Sequence, residues 1–372
     1  MHAGKLLVRV AVLCGILGTA CALAQTRASC EAYLATDPSP TGLPAVSGPG
    51  VAQRSELLAA GGKLVAIGTR YYSVSIPAAF YTATTPVLVL DLHGTGGYSE
   101  AEWADWHAAM ADKGVAFIAL SWGGGTAGAA TDTEIYSQIK QIVKDVGASC
   151  PIASASKWLM GFSVGSAMSF AVMIRDVADQ KLLRGQIAVS GAAIGPLTTG
   201  RDVMHATVEA SRSNAYAVWG IQSWMYCGEV DYDHGWSMCT EMPNGAAFVN
   251  EHGGRASLYR DATGSHHSLP ANASARNSMF DFVSASSKFS VVTVAQTDCM
   301  LTWLELGFPA YVSPSPAASL MAPPYRYRYY SATQSYLGTS SDDGHLYFVG
   351  GAPAAVLDLG LATAWLAPTG CK

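Results

Sequence analysis

Two short, nearly unbroken apolar runs, Val87-Leu88-Val89-Leu90-Asp91-Leu92 and Val115-Ala116-Phe117-Ile118-Ala119-Leu120, constrain this chain more than any other feature. Six residues suit a strand better than a helix, and apolar side chains on both alternating sets demand cover on both faces. Between and after them lie helix signals. Ser99-Glu100-Ala101-Glu102 has the spacing of a capping box, and Thr131-Asp132-Thr133-Glu134 repeats it before an amphipathic stretch to about Val146. Tyr71 to Ile76 alternates as a half-exposed strand. Further short strands are expected at Trp158-Leu159-Met160, Gln186 to Ser190, Trp224 to Cys227 and Ala256 to Tyr259. Strands alternating with helices predict an α/β fold: a largely parallel sheet covered on both faces, with reactive groups at the carboxyl ends of its strands.

The chain has 372 residues, with 13% charged side chains against about 25% in an ordinary soluble domain. Part of the apolar excess lies in residues 1–24. Lys5 and Arg9 precede the apolar stretch Val10 to Leu17, and Ala22-Leu23-Ala24 supplies small residues before Gln25. That is the layout of a secretory signal peptide, so export without stable membrane insertion is expected. The formal charge is −5, and without residues 1–24 it becomes −7, from 20 basic and 27 acidic residues. With no basic run, nucleic acid is excluded as a partner.

Six cysteines follow residue 24: Cys30, Cys150, Cys227, Cys239, Cys299 and Cys371. An even number in an exported chain reads as three disulfides, for which sequence alone allows fifteen pairings. The favoured ones are Cys227–Cys239, closing a short loop, and Cys299–Cys371, bracketing the C-terminal tail, with Cys30–Cys150 left over. No CxxC pair supports a zinc ribbon or thioredoxin-type chemistry.

Residues 25–60 are expected to be irregular, because Pro38, Pro40, Pro44 and Pro49 interrupt them. Beyond about residue 288 a helical patch, Met300 to Leu306, leads into a proline-rich stretch. Tyr325 to Tyr330, Tyr336-Leu337-Gly338 and His345 to Val349 then read as a small meander, with Val356 to Leu366 as a closing helix. The expected organisation is a signal peptide at 1–24, a catalytic domain at 25–288 and a small tyrosine-rich α+β module at 289–372.

Gly161-Phe162-Ser163-Val164-Gly165 matches G-x-S-x-G, follows the strand Trp158 to Met160 and opens a helix-compatible stretch. A serine on such an elbow projects from a strained backbone, and glycines let the neighbouring chain approach. Its hydroxyl needs a base, and the base needs an orienting carboxylate. Downstream stand Cys227-Gly228-Glu229-Val230-Asp231 and Gly264-Ser265-His266-His267-Ser268-Leu269-Pro270, so the order is serine, acid, histidine. Leu92-His93-Gly94-Thr95-Gly96-Gly97 ends an early strand in a turn able to present N–H groups to an oxyanion. His93 itself reads as a structural residue of that turn.

These four motifs, between about Tyr71 and Phe282, resemble the α/β-hydrolase esterase family of secreted polyhydroxybutyrate depolymerases and feruloyl or acetylxylan esterases. The resemblance implies an α/β-hydrolase fold with Ser163, Asp231 and His267 as catalytic residues. His267 is chosen over His266 because the family histidine stands three positions before a proline, here Pro270. Asp231 is chosen over Asp233 by its distance from Gly228, although the Tyr232-Asp233-His234 that follows departs from the family and keeps Asp233 open. Gly94, Thr95 and Val164 are the expected oxyanion donors. No metal or organic cofactor is implied, and Asp231, Asp233 and His234 find no further ligand at a recognised spacing. The expected activity is hydrolysis of carboxylic esters by a secreted monomer, with a hydroxyalkanoate polyester or its oligomers as substrate. The alternatives are feruloyl or acetyl esters of plant polysaccharide, or an exported binding protein with a degenerate hydrolase domain.

Overall fold

The computed structural model describes residues 25–124, 128–192, 202–232, 237–288, 290–307, 318–322, 324–330, 333–350 and 355–371. The signal-peptide expectation at 1–24 and the open alternative at Asp233 lie outside these residues.

Eight strands form the main sheet: β1 (Lys63–Ile67), β2 (Arg70–Ser75), β3 (Val87–Leu92), β4 (Val115–Ser121), β5 (Ser156–Phe162), β6 (Gly185–Val189), β7 (Gln222–Gly228) and β8 (Arg255–Asp261). Their order is β1-β2-β4-β3-β5-β6-β7-β8, with β1 and β2 antiparallel and β4 onward parallel. The helices of this part are α1 (Arg27–Ala35), α2 (Pro49–Ala59), α3 (Ser99–Asp112), α4 (Asp132–Gly147), α5 (Val164–Ala178), α6 (Asp202–Ser211), α7 (Met238–Glu251) and α8 (Ala273–Ser286). This is an α/β-hydrolase fold, as expected.

The apolar runs behave as their composition requires. Leu88, Leu90 and Leu92 face a core shared with Ile135, Ile139 and Ile142 of α4 and Phe170 of α5. Val87 and Val89 face the opposite core, with Trp103 and Trp106 of α3 and Met279 of α8. Burying a side chain of this size contributes about 1.5–3 kcal/mol, so a one-residue slip of β3 would set each residue against the wrong core. Asp91 falls on the α3 side of this alternation, 1% exposed.

Three expectations about local structure are corrected. Residues 25–60 contain two helices: Thr26 caps α1 through a reciprocal box with Ser29, and Pro49 stands in the first turn of α2. There its missing N–H is harmless, and the other prolines fall between the helices. Ser99 does not cap α3, whose N-cap is Tyr98 without a side-chain bond, and Glu102 turns inward instead. Val356 to Leu366 is a strand as far as Leu361 followed by a 3-10 turn. By contrast, Thr131 and Glu134 do form the expected box on α4.

Downstream, α9 (Val294–Gly307) packs on a five-stranded antiparallel sheet of β9 (Ala318–Ala322), β10 (Tyr325–Tyr330), β11 (Ser335–Ser340), β12 (His345–Gly350) and β13 (Ala355–Leu361). Period-two alternation splits β10. Arg326 and Arg328 reach Asp298 and Glu305 of α9, while Tyr325 and Tyr327 line a slot of about 400 Å³ with Tyr336 and Tyr347. The disulfides are Cys30–Cys150, Cys227–Cys239 and Cys299–Cys371, the pairing favoured from sequence. Among the described residues no helix is long and apolar enough to cross a membrane.

Candidate active site

Strand β5 ends at Phe162 and α5 begins at Val164, so Ser163 alone makes the turn. Its backbone stands at φ 53°, ψ −119°, a region that costs a non-glycine residue about 1–3 kcal/mol and persists only where neighbours enforce it. The enforcement is visible. The Ser163 N–H donates to Val189 O at 2.8 Å, and Ser163 O accepts from the Ala167 N–H at 3.1 Å. Two glycines permit the crossing: a Cβ on Gly161 would stand 2.3 Å from Gly165 O, and one on Gly165 would stand 2.0 Å from Leu92 O. Ser163 is 8% exposed at the head of α5, where the first N–H groups have no intrahelical partner and favour negative charge.

The acid and the histidine come from the loops after β7 and β8. Their backbones are tied together: the Glu229 N–H donates to Asp261 O at 2.8 Å and the Val230 N–H to Gly264 O at 3.1 Å. Gly228 allows this, since a Cβ there would meet Gly264 O at 2.1 Å. The Cys227–Cys239 bridge closes the base of the acid loop. Asp231, 2% exposed, faces a histidine through Oδ2 at 2.8 Å, and the partner is His266 Nδ1.

His267, expected from its distance to Pro270, is not the residue on Asp231. The turn from Ser265 to Ser268, held by the Ser265 N–H on Ser268 Oγ at 2.7 Å, sends consecutive imidazoles different ways, their planes 84° apart. His266 goes to Asp231, while His267 lines a cavity together with Asp105 of α3. Both rings lie against Phe162, the neighbour of Ser163, with centroids at 4.9 and 4.6 Å. Sequence reasoning also passed over Asp261, which accepts from Tyr226 Oη at 2.9 Å and Asn272 Nδ2 at 2.6 Å and so anchors the histidine loop at both ends.

The turn after β3 is organised by His93. Burial drives its pKa down to about 4, so the ring is neutral. Its Nε2 accepts from the Trp122 N–H at 3.2 Å, which leaves Nδ1 to donate to Gly94 O at 2.7 Å. The Trp122 indole N–H returns to His93 O at 3.1 Å. His93 therefore holds the turn, as its position suggested. Of the three expected donors, Gly94 is buried in this turn and lines the cavity described below. Thr95, exposed at the rim, and Val164, first residue of α5, are the other two.

Beside this group lies a cavity of about 160 Å³ whose lining includes Thr95, Glu102, Asp105, Phe162, His266 and His267. Burial, then the nearby Asp105, pushes Glu102 up to about 8. The folded protein thus keeps a proton that the unfolded chain releases above its ordinary 4.5, and stability is lost as pH rises from there through about 8. Glu102→Gln removes the titration. It is expected to melt at a higher temperature than the wild type at pH 8 and to show no such gain at pH 5, by circular dichroism.

No protein-family profile matches the chain, and no curated protein matches it. Solved structures do. An arylesterase superposes with TM-score 0.46 at 14% identity, over 76% of this chain and 96% of its own. An esterase from the archaeon Pyrobaculum calidifontis gives TM-score 0.43 at 14% identity, over 63% and 90%. A ferulic acid esterase gives TM-score 0.43 at 11% identity, over 61% and 96%.

Proposed function

We propose that this chain is a serine hydrolase of carboxylic esters, with Ser163 as nucleophile, His266 as base and Asp231 as the carboxylate that orients it. One observation carries the reading: a serine held at φ 53° between β5 and α5, with an imidazole–carboxylate pair supplied by the loops after β7 and β8. A strained elbow and a buried Asp–His pair have separate costs, and the acyl-transfer reaction uses both. Asp231 on Nδ1 leaves Nε2 of His266 to take the serine proton, and then to return it to the leaving alcohol. Attack at the carbonyl forms a tetrahedral oxyanion, to which the N–H groups of Val164 and Thr95 donate. Expulsion of the alcohol leaves an acyl-enzyme that water resolves by the same steps. Within the ester class, motif resemblance favours a hydroxyalkanoate polyester or its oligomers over feruloyl or acetyl esters of polysaccharide. Export agrees with the three disulfides.

The test is a fluorophosphonate probe on the oxidised protein, followed by peptide mapping. A single adduct at Ser163, accompanied by loss of p-nitrophenyl butyrate hydrolysis, is the expected result. A folded protein that takes no label would instead favour the degenerate, non-catalytic alternative.

A further inference from the structure

The cavity against Phe162 carries more acid than the proposed reaction uses. Glu102 and Asp105 line it, no lysine or arginine is among its lining residues, and His266 and His267 are its other ionisable groups. Behind its wall stands Asp91, 1% exposed, with both carboxyl oxygens lacking a hydrogen-bond partner. Asp91 and Met160 are register partners on adjacent parallel strands, so both side chains leave the sheet on one side, and Met160 lines the cavity. Two carboxyl groups of α3 therefore line the cavity, and a third, from β3, is buried behind it. A buried acceptor with nothing to accept costs about 1–3 kcal/mol, and the fold places it at the register of Met160, on the strand that leads into Ser163. Burial raises the pKa of all three acids, and each of Asp91 and Glu102 is raised further by an acidic neighbour. Among the described residues no group of three or more His, Cys, Asp or Glu side chains is arranged to hold a metal ion. The volume, about 160 Å³, far exceeds the roughly 10–15 Å³ that one water needs.

We propose that this cavity is an acidic subsite in which Glu102 and Asp105 accept a hydrogen-bond-donating group, a hydroxyl or an ammonium, carried by the ester substrate. The inference rests on the esterase reading of Ser163 and narrows its substrate: the ester bears a donor near the scissile bond and no free carboxylate there. Trp106 and Phe162 supply apolar walls for the carbon chain between donor and carbonyl. A donor finds acceptor oxygens on both carboxyls, on Glu102 even while it keeps its proton. An anionic group is refused because no lysine or arginine lines the space to pair with it, and because it would hold the neighbouring acids further from ionisation.

The test compares kcat/KM for methyl butyrate, methyl 3-hydroxybutyrate, methyl 3-aminobutyrate and monomethyl succinate at neutral pH. It uses the wild type, Glu102→Gln, Asp105→Asn and Ser163→Ala. The expected result is a preference of about ten- to hundredfold for a donor-bearing ester over methyl butyrate, with the succinate poorest. Whether the hydroxy or the amino ester leads identifies the source of the donor. The preference should shrink toward one in Asp105→Asn and Glu102→Gln. Asp105 is exposed at the rim, so its variant keeps the test open if Glu102→Gln fails to fold. Equal turnover of all four esters, lost in Ser163→Ala, would overturn the subsite and leave the esterase standing. Absence of any turnover together with absence of fluorophosphonate labelling would remove both.

Discussion

His266→Ala is expected to lower kcat/KM for p-nitrophenyl butyrate by about 10⁴-fold or more, as Ser163→Ala does, whereas His267→Ala should cost about two- to tenfold. The contrast follows from one contact. Asp231 is buried and bonded to His266 Nδ1 at 2.8 Å, with the His266 side chain 17% exposed. A carboxylate there selects the tautomer protonated at Nδ1, which puts the basic lone pair on Nε2, and stabilises the imidazolium formed when the serine proton arrives. Removing His266 leaves a hydroxyl with no base and a buried carboxylate with one partner fewer. His267 lines the cavity together with Asp105, so its removal is expected to reshape a wall while the base on Asp231 stays in place. Because the serine and its base act as one unit, the double variant Ser163→Ala/His266→Ala should be no slower than either single variant. Thermal melts of all variants separate lost chemistry from lost structure. An inactive His267→Ala beside an active His266→Ala would reverse the assignment.

That distinction shows where sequence stops. The strands were legible because burial on both faces leaves an unmistakable mark, as in β3 and β4, and the elbow because Gly161 and Gly165 are demanded by backbone contacts. The choice between two adjacent histidines was not legible. It depends on a Ser265–Ser268 side-chain bond that redirects each ring, and spacing to Pro270 carries no such information. Glu102 was illegible for a similar reason: its spacing from Ser99 suggests a cap, but its place is inside. Helices α1 and α2 are hidden by proline density, which says nothing of position, and Pro49 falls where a helix tolerates proline. In Val356 to Leu361 the β-strand won over an ambiguous pattern because β12 offers an unpaired edge. Long-range pairing decided it.

Gly165→Ala is expected to destabilise the protein by about 1–3 kcal/mol or more and to lower kcat/KM by about 10²-fold. The added Cβ would lie 2.0 Å from Leu92 O and 2.6 Å from His93 O, both backbone atoms that no rotamer change can move. Helix α5 must then withdraw from the end of β3, taking Ser163 and Val164 with it, while Thr95 stays with the turn that His93 holds to Trp122. The two N–H groups proposed for the oxyanion come from these two elements. A shift of about an ångström between them is enough to lose the alignment on which such stabilisation depends. Gly147→Ala is the control. It lies at the end of α4, where a Cβ would meet only Ile152 Cγ1 at an ordinary 3.7 Å, and alanine there should stabilise by about 0.4–1 kcal/mol. Melting temperatures and kcat/KM of the two variants decide the matter. A Gly165→Ala protein with wild-type values of both would mean that helix and strand are not in this contact. If instead the melting temperature recovers in a second-site revertant while activity does not, the glycine is needed for the spacing of the two donors and not only for packing.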